Sequence, residues 1–362
     1  MTTTKPIGVG VIGAGASAWA SLAHLPALAA LPAYRLVAVS TTRQASADET
    51  ARRFGVPHAF AGADALIAHP EVELVVVSVR APAHAPLVRA ALAAGKHVFC
   101  EWPVGATTEH TVELAELAAR AGVHTFTGLH RRFAPSVVHL RSLLAGGYLG
   151  TLRSIHVHGA IPLLGARRPS AYAYTADLAN GANALHTLTP HLLDTALSVV
   201  GEPTSLSALV TRQFDSTTIE ETGETVPVTA PDQIAVIGTL PGGAVLSARI
   251  EAGKGSAHLG WTLTGTDGDL EVGPDLSLRG ARAGGGPLAP IEVPATAAPV
   301  PRGTLGDDAH QVAQLYAAIA VALRGGAADP LVPTFREAAR IRRFLDALLE
   351  SSRTGRRIEW QP

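Results

Sequence analysis

Ile7-Gly8-Val9-Gly10-Val11-Ile12-Gly13-Ala14-Gly15-Ala16-Ser17-Ala18 decides how the first part of this chain is read. An apolar run of strand length meets two glycines one residue apart, and an alanine-rich stretch of helical texture follows. That arrangement has a physical use. Gly13 permits the tight turn, Gly15 lets the backbone approach a pyrophosphate, and small Ala18 lets the next helix pack close to the strand. The helix start, from Ala14 through Trp19, offers free N–H groups and a positive dipole end to phosphates.

Downstream of this turn, short β-branched runs alternate with alanine-rich stretches: strands at Tyr34 to Ser40, Leu74 to Val79, His97 to Cys100 and Val123 to Thr127, with helices between them. The alternation predicts a Rossmann-type doubly wound parallel sheet. The second strand ends in Ser40-Thr41-Thr42-Arg43, where an acidic residue would hold the ribose 2'-hydroxyl of NAD. Hydroxyls beside a guanidinium suit a 2'-phosphate, so NADP(H) is expected over NAD(H). From Leu152 onward the strands lengthen and alternate, with turn sequences Pro241-Gly242-Gly243 and Thr266-Asp267-Gly268-Asp269. This half reads as an α+β domain with a large, open, mostly antiparallel sheet. Gly284 to Pro301 reads as a surface excursion, and two helices, Asp307 to Leu323 and Thr334 to Ser352, close the chain.

Composition narrows the class. With 362 residues, 47% hydrophobic and 16% charged, and a formal net charge of -1, the chain is expected to be an ordinary globular protein of two domains. No basic excess points to nucleic acid, no apolar run is long enough for a bilayer, and Met1 to Pro6 lacks the hydrophobic region of a signal peptide. A single cysteine, Cys100, fits a reducing cytoplasm and reads as a small core side chain. Fifteen histidines raise a metal reading, but His186 and His191 at a five-residue step suit one α-helix face poorly. No metal is expected.

Val98-Phe99-Cys100-Glu101-Trp102-Pro103 after Gly95-Lys96-His97, His24-Leu25-Pro26-Ala27-Leu28 after the glycine turn, and Gly128-Leu129-His130-Arg131-Arg132-Phe133-Ala134-Pro135 together resemble the Gfo/Idh/MocA oxidoreductases. So do His84 and the ending Ser352-Arg353-Thr354-Gly355-Arg356. The resemblance implies a Rossmann domain at 1–124, an open-sheet substrate and oligomerisation domain at 125–333, and a C-terminal helix and tail at 334–362 packing back near the Rossmann domain. It implies a nicotinamide site built from Gly13 to Trp19, Ser40 to Arg43, Ser78, Val79, Arg80, His84, Glu101, Trp102 and Pro103. Substrate contacts are expected from His130, Arg131, Arg132, Asn183 and His186, and a homodimer or larger homo-oligomer through the sheet.

The family moves its proton with a lysine, an aspartate and a histidine. Here those positions correspond to Trp102, Thr187 and His191, the register being set by His191 and Asp194. An indole N–H and a threonine hydroxyl do not exchange protons near neutral pH, so His191 is the surviving acid–base candidate, with Tyr172 and Tyr174 as alternative donors. Asn183, Thr187 and His191, spaced by four, are expected to form one polar helix stripe. Pro190 inside it removes an N–H and predicts a kink. The same Glu-Trp and threonine pattern, with Trp19 after the glycine turn, resembles the branch of the NADP-binding galactose-pathway transcriptional repressor.

Three functions follow. The first is NADPH-dependent reduction of a sugar-like ketone or cyclic imine in an aromatic, lysine-free pocket, where a cyclic iminium would gain cation–π contact. The second is a non-catalytic NADP-binding sensor that binds a partner protein. The third is a non-redox lyase or glycosidase that uses bound nicotinamide.

Overall fold

A computed structural model describes residues 5–361, so Met1 to Thr4 and Pro362 lie outside the described residues. By packing, the chain divides into two compact units. The first runs to Phe133 and takes up Ala298–Ala339 again; the second comprises Ala134–Ala297 and Arg340–Pro362. The division falls nine residues after the expected 124/125 boundary, and Ala298–Ala339 joins the first unit where the sequence placed 298–333 in the second.

The first unit is a parallel sheet of β1 (Ile7–Ile12), β2 (Tyr34–Thr41), β3 (His58–Ala61), β4 (Leu74–Val77), β5 (His97–Cys100) and β6 (Thr125–Thr127). Its order, β3-β2-β1-β4-β5-β6, is the doubly wound one. All six residues of β1 are buried, as a strand covered on both faces requires. The crossover helices are α1 (Leu25–Ala29), α2 (Gln44–Phe54), α3 (Asp64–Ala68), α4 (His84–Ala93) and α5 (Thr108–Ala121). Thr107 caps α5 by accepting the N–H of His110, and Gly122 ends it at a left-handed φ of 65°. The helix after the glycine turn opens as a π turn, Ala20–His24, before continuing as α1.

The second unit begins with α6 (Pro135–Ala145) and carries β7 (Leu152–Ile161), β8 (Arg167–Arg168), α7 (Thr195–Val200), β9 (Ser205–Thr211), β10 (Ser216–Ile219), β11 (Thr225–Pro227), β12 (Gln233–Thr239), β13 (Val245–Ala252), β14 (His258–Gly265), β15 (Gly268–Val272), β16 (Leu278–Arg282), β17 (Ala289–Ile291) and β18 (Ile358–Glu359). Nine of them form one sheet, β17-β16-β15-β14-β7-β13-β12-β9-β18. Its pairs are antiparallel except for β7 with β13. Ile155, Val157, Ile250, Trp261 and Leu263 face the core. On the other face Leu209 and Ile237 are each 61% exposed and Val245 is 54% exposed.

Helices α8 (Asp307–Leu323) and α9 (Phe335–Thr354) complete the chain. Tyr316, Leu315 and Ile319 of α8 are buried in the first unit's core with Leu25, Leu28 and Val39. The segment expected as a surface excursion contains β17, whose Pro290 sits on an edge strand, where a missing N–H is tolerated. No helix among the described residues is long and apolar enough to cross a membrane.

Candidate functional site

Gly13 turns the chain at φ 90°, and a Cβ there would lie 2.1 Å from the Ser78 carbonyl oxygen. Glycine is required on both counts. Its N–H and that of Ala14 donate to Ser40 O at 2.9 and 3.1 Å, which ties the turn to the end of β2. Gly15 differs: a Cβ there would meet only Ala18 Cβ, at 3.9 Å. The N–H groups of Gly15, Ala16 and Ser17 have no acceptor among the described residues. Free donors around an open glycine form a cradle for phosphate oxygens.

At the end of β2, Ser40 is buried and its hydroxyl has no partner among the described residues. Thr41 Oγ1 is taken up locally, 2.5 Å from Ser46 Oγ and donating to Arg43 O at 2.8 Å. Thr42 and Arg43 are exposed, and no carboxylate stands at this position. The residues present therefore fit a dinucleotide: a glycine cradle, free N–H groups and hydroxyls at the ribose end of β2.

Several expected cofactor residues do structural work in the first unit. Glu101 Oε1 lies 2.9 Å from His24 Nε2, and His24 Nδ1 lies 2.8 Å from the Tyr316 hydroxyl. Burial pushes the Tyr316 phenol up, so it keeps its proton and donates to Nδ1. His24 then donates through Nε2 to the Glu101 carboxylate. A Cβ on Gly128 would fall 2.4 Å from Glu101 Oε2, so Gly128 leaves room for this carboxylate. His84 is also buried, with Nδ1 2.8 Å from Pro103 O and Nε2 2.9 Å from Val79 O. Burial pulls its pKa down, against the two carbonyls and Glu101, which favour the charged ring. It braces the Trp102-Pro103 segment, whose peptide bond is cis. Trp102 is only 5% exposed. Ser78 is buried, Val79 half-buried and Arg80 exposed.

Trp19 is half-buried beside His130, with ring centroids 5.6 Å apart. Its indole N–H is buried without a partner among the described residues. Arg132 is 3% exposed and paired with Glu337 at 2.7 Å. That pairing occupies a guanidinium the sequence had assigned to substrate. Burial holds the pKa of Arg131 below the ordinary guanidinium value, with Asp308 acting against it. Cys100 is fully buried, and burial pushes its thiol up.

In the second unit, Asn183 is the cap of its helix. Its Oδ1 accepts the N–H groups of Leu185 and His186, both at 3.1 Å, and its Nδ2 donates to His186 Nδ1 at 3.1 Å. Asn183 thus turns back on the backbone instead of standing in the expected stripe. The chain runs through two π turns, Ala184–Leu188 and Pro190–Asp194. With no N–H at Pro190, the ladder widens: Thr189 N–H and Oγ1 both reach Ala184 O. In a π turn bonds span five residues, so His186 and His191 stand nearer one face than α geometry allows. Burial, with the Arg342 guanidinium adding, lowers the His186 pKa to about 3. Thr187 and His191 are half-buried, and Thr187 Oγ1 has no partner among the described residues. Tyr172 is exposed and Tyr174 half-buried, on a short 3-10 segment, Ser170–Ala176. Arg342 of α9 is 3% exposed, and Arg340 pairs with Glu202.

One group was not anticipated: His58, His69 and Glu71 offer ligand atoms within 4.8 Å of one another.

A doubly wound sheet with an open glycine cradle at the carboxyl end of β1, in a chain that also carries an open nine-stranded sheet, is the architecture of a two-domain, dinucleotide-binding oxidoreductase fold. Residues 7–129 match the model of an oxidoreductase family with an NAD-binding Rossmann fold, and residues 135–273 match that of the Gal80p C-terminal domain. The first of these is the Gfo/Idh/MocA family, to which the NAD-binding domain at 7–129 belongs. The chain is 26% identical over 316 residues to the galactose/lactose metabolism regulatory protein GAL80 of Saccharomyces cerevisiae, covering 78% of this chain and 73% of that protein. It is 31% identical over 218 residues to dehydrogenase aclE of Aspergillus oryzae, covering 58% of this chain and 59% of that one. The chain thus spans less than two thirds of that relative. The fold resembles a super-repressor mutant of Gal80p from Saccharomyces cerevisiae, with a TM-score of 0.86, 21% identity and 98% of each chain covered.

Proposed function

We propose that this chain is a nicotinamide-dinucleotide sensor that signals by binding a partner protein, with NADP(H) preferred over NAD(H). The carrying observation is the absence of a titratable side chain at two positions where the family handles protons: Trp102, buried in the first unit, and Thr187, whose hydroxyl has no partner among the described residues. Nearby His186 stays neutral at physiological pH because its pKa is lowered to about 3. The match of the second unit to the Gal80p C-terminal domain supports the same reading. The apolar sheet face around Leu209, Ile237 and Val245 suits a second copy of the chain, which either reading allows. Ser40 and the exposed Thr42 and Arg43, with no carboxylate beside them, support a 2'-phosphate.

A second reading has its own observation. His191 is retained and half-buried on a π turn, so a reductase of ketones or cyclic imines with His191, Tyr172 or Tyr174 as proton donor is its natural form. The relative named as a dehydrogenase favours it. Titration of NADPH by fluorescence, followed by absorbance of the reduced cofactor over a panel of ketones and cyclic imines, separates the two. The sensor reading expects tight NADPH binding and no oxidation across the panel. Steady turnover that falls in His191→Ala with NADPH affinity unchanged would replace it with the reductase.

A further inference from the structure

We infer that His58, His69 and Glu71 form a binding site for a borderline divalent cation of the zinc class, at the amino-terminal end of the first unit's sheet. The three ligand atoms lie within 4.8 Å of one another. A tetrahedral zinc with bonds of about 2.0–2.2 Å holds neighbouring ligands roughly 3.4 Å apart. The gap is closed by rotamer adjustment, because His58 and His69 are half-buried and Glu71 is exposed. Two imidazoles and a carboxylate are the donor set of zinc or cobalt, and they leave a fourth position for water.

Three different pieces of backbone bring these side chains together. His58 opens β3, the edge strand, opposite Ala38 of β2. His69 is the C-cap of α3. Glu71 lies two residues further on, where its carbonyl oxygen would be 1.8 Å from a Cβ on Gly8 at the start of β1. The glycine cradle sits at the other end of β1, so the two sites use opposite edges of the sheet.

The surroundings hold the carboxylate and pack the two rings together. The His58 and His69 rings are 4.5 Å apart, and His58 stacks on Phe60 at 6.2 Å with an interplanar angle of 7°. Arg35 donates to Glu71 Oε1 at 3.0 Å, which turns the carboxylate and leaves Oε2 for the metal. The Glu71 N–H donates to His69 Nδ1 at 3.2 Å, so the neutral ring carries its proton on Nε2. Its Nδ1 lone pair is already the deprotonated one, and the metal displaces only this long hydrogen bond. Such a cation would clamp β3 and the α3–β4 connection together.

The full chain is stripped of metal and titrated with zinc chloride by calorimetry, and with cobalt chloride by visible absorption. The expected result is one zinc per chain, a d–d spectrum of a four-coordinate cobalt centre, and a rise in melting temperature with zinc. His58→Ala and His69→Ala should each weaken zinc binding beyond the 10–100-fold that outer-shell changes cost and abolish the zinc-dependent rise, while melting like the parent without metal. Glu71→Gln, which keeps the shape and the backbone N–H, should weaken binding as well. The inference is overturned if zinc does not bind, or if binding persists in His58→Ala and His69→Ala. It is also overturned if binding is instead lost in His258→Ala, whose ring lies 4.5 Å from His158.

Discussion

Removing the Glu101 carboxylate tests whether the first residue of the Glu-Trp-Pro signature holds the fold or holds the cofactor. In the structure it accepts from His24 Nε2 at 2.9 Å, with His24 fully buried and the Glu101 side chain 14% exposed. His24 Nδ1 in turn receives the Tyr316 hydroxyl at 2.8 Å, and Tyr34 donates to the Tyr316 backbone carbonyl at 2.7 Å. Glu101→Ala deletes a charge-assisted hydrogen bond and leaves a buried imidazole N–H without its acceptor, a loss of about 1.5–3 kcal/mol. Tyr316→Phe deletes a neutral bond for about 1 kcal/mol and keeps the Tyr34 contact, which goes to backbone. Both perturbations act on one histidine, so the double variant should depart from additivity by about 0.5 kcal/mol or more. Urea unfolding followed by a probe in the first unit measures this, because a chain of two units need not unfold in one step. Dinucleotide titration on the same variants supplies the second axis. If Glu101→Ala unfolds with the parent's midpoint yet binds dinucleotide tenfold more weakly, the carboxylate serves the ligand and the strut is wrong.

Three further outcomes follow from the geometry. The His186 pKa is lowered from 6.5 to about 3, so across that window the unfolded chain holds a proton that the folded chain refuses. Stability should therefore drop as pH is lowered through that window, by up to about 1.4 kcal/mol per unit; His186→Gln should flatten that limb in pH-dependent unfolding, and an unchanged slope would refute the assignment. Gly13→Ala should destabilise the first unit, because its Cβ would meet Ser78 O at 2.1 Å. Gly15→Ala, with only Ala18 at 3.9 Å, should keep the parent's stability to within about 0.5 kcal/mol while losing most dinucleotide affinity. A matched loss of stability in both would argue against the cradle. Arg43→Asp should shift the ratio of NADPH to NADH affinity at least about tenfold towards NADH, measured by paired fluorescence titrations.

Much of the first unit was legible because β-branched runs bounded by glycine leave few alternatives. The missing pieces have physical causes. β3, His58-Ala59-Phe60-Ala61, contains no β-branched residue, and α3 spans only five residues, too few to show a helical period. Arg342 is legible as a buried position. Phe335, Ala338, Ala339, Arg342 and Leu345 follow the three-and-four spacing of one buried helix stripe, so the period outranked the charge. Pro190 signalled an irregular helix, but not that one π turn would precede it and a second begin at it, since a proline removes a donor without stating how the ladder repairs itself. Asn183 shows the limit of spacing arguments: four residues before Thr187 it fits a face, yet an asparagine at a helix start is worth more as a cap.

The signature tripeptide can then be divided by what each residue does. Glu101 is fastened to His24 and has its space kept by Gly128, contacts made by packing within the first unit. A change of chemistry leaves those contacts intact, so the glutamate that the family motif calls for can stand beside a tryptophan that the motif does not. Trp102, at the lysine position, is buried and offers only an indole N–H, which does not exchange protons near neutral pH. Thr187 bears the same relation to its own unit, where the cap at Asn183 and the neutral His186 form the local framework around it. Framework retained and titratable groups replaced in both units is the pattern expected when ligand binding is kept and proton transfer is given up, and this pairing weighs towards the sensor more than either substitution alone.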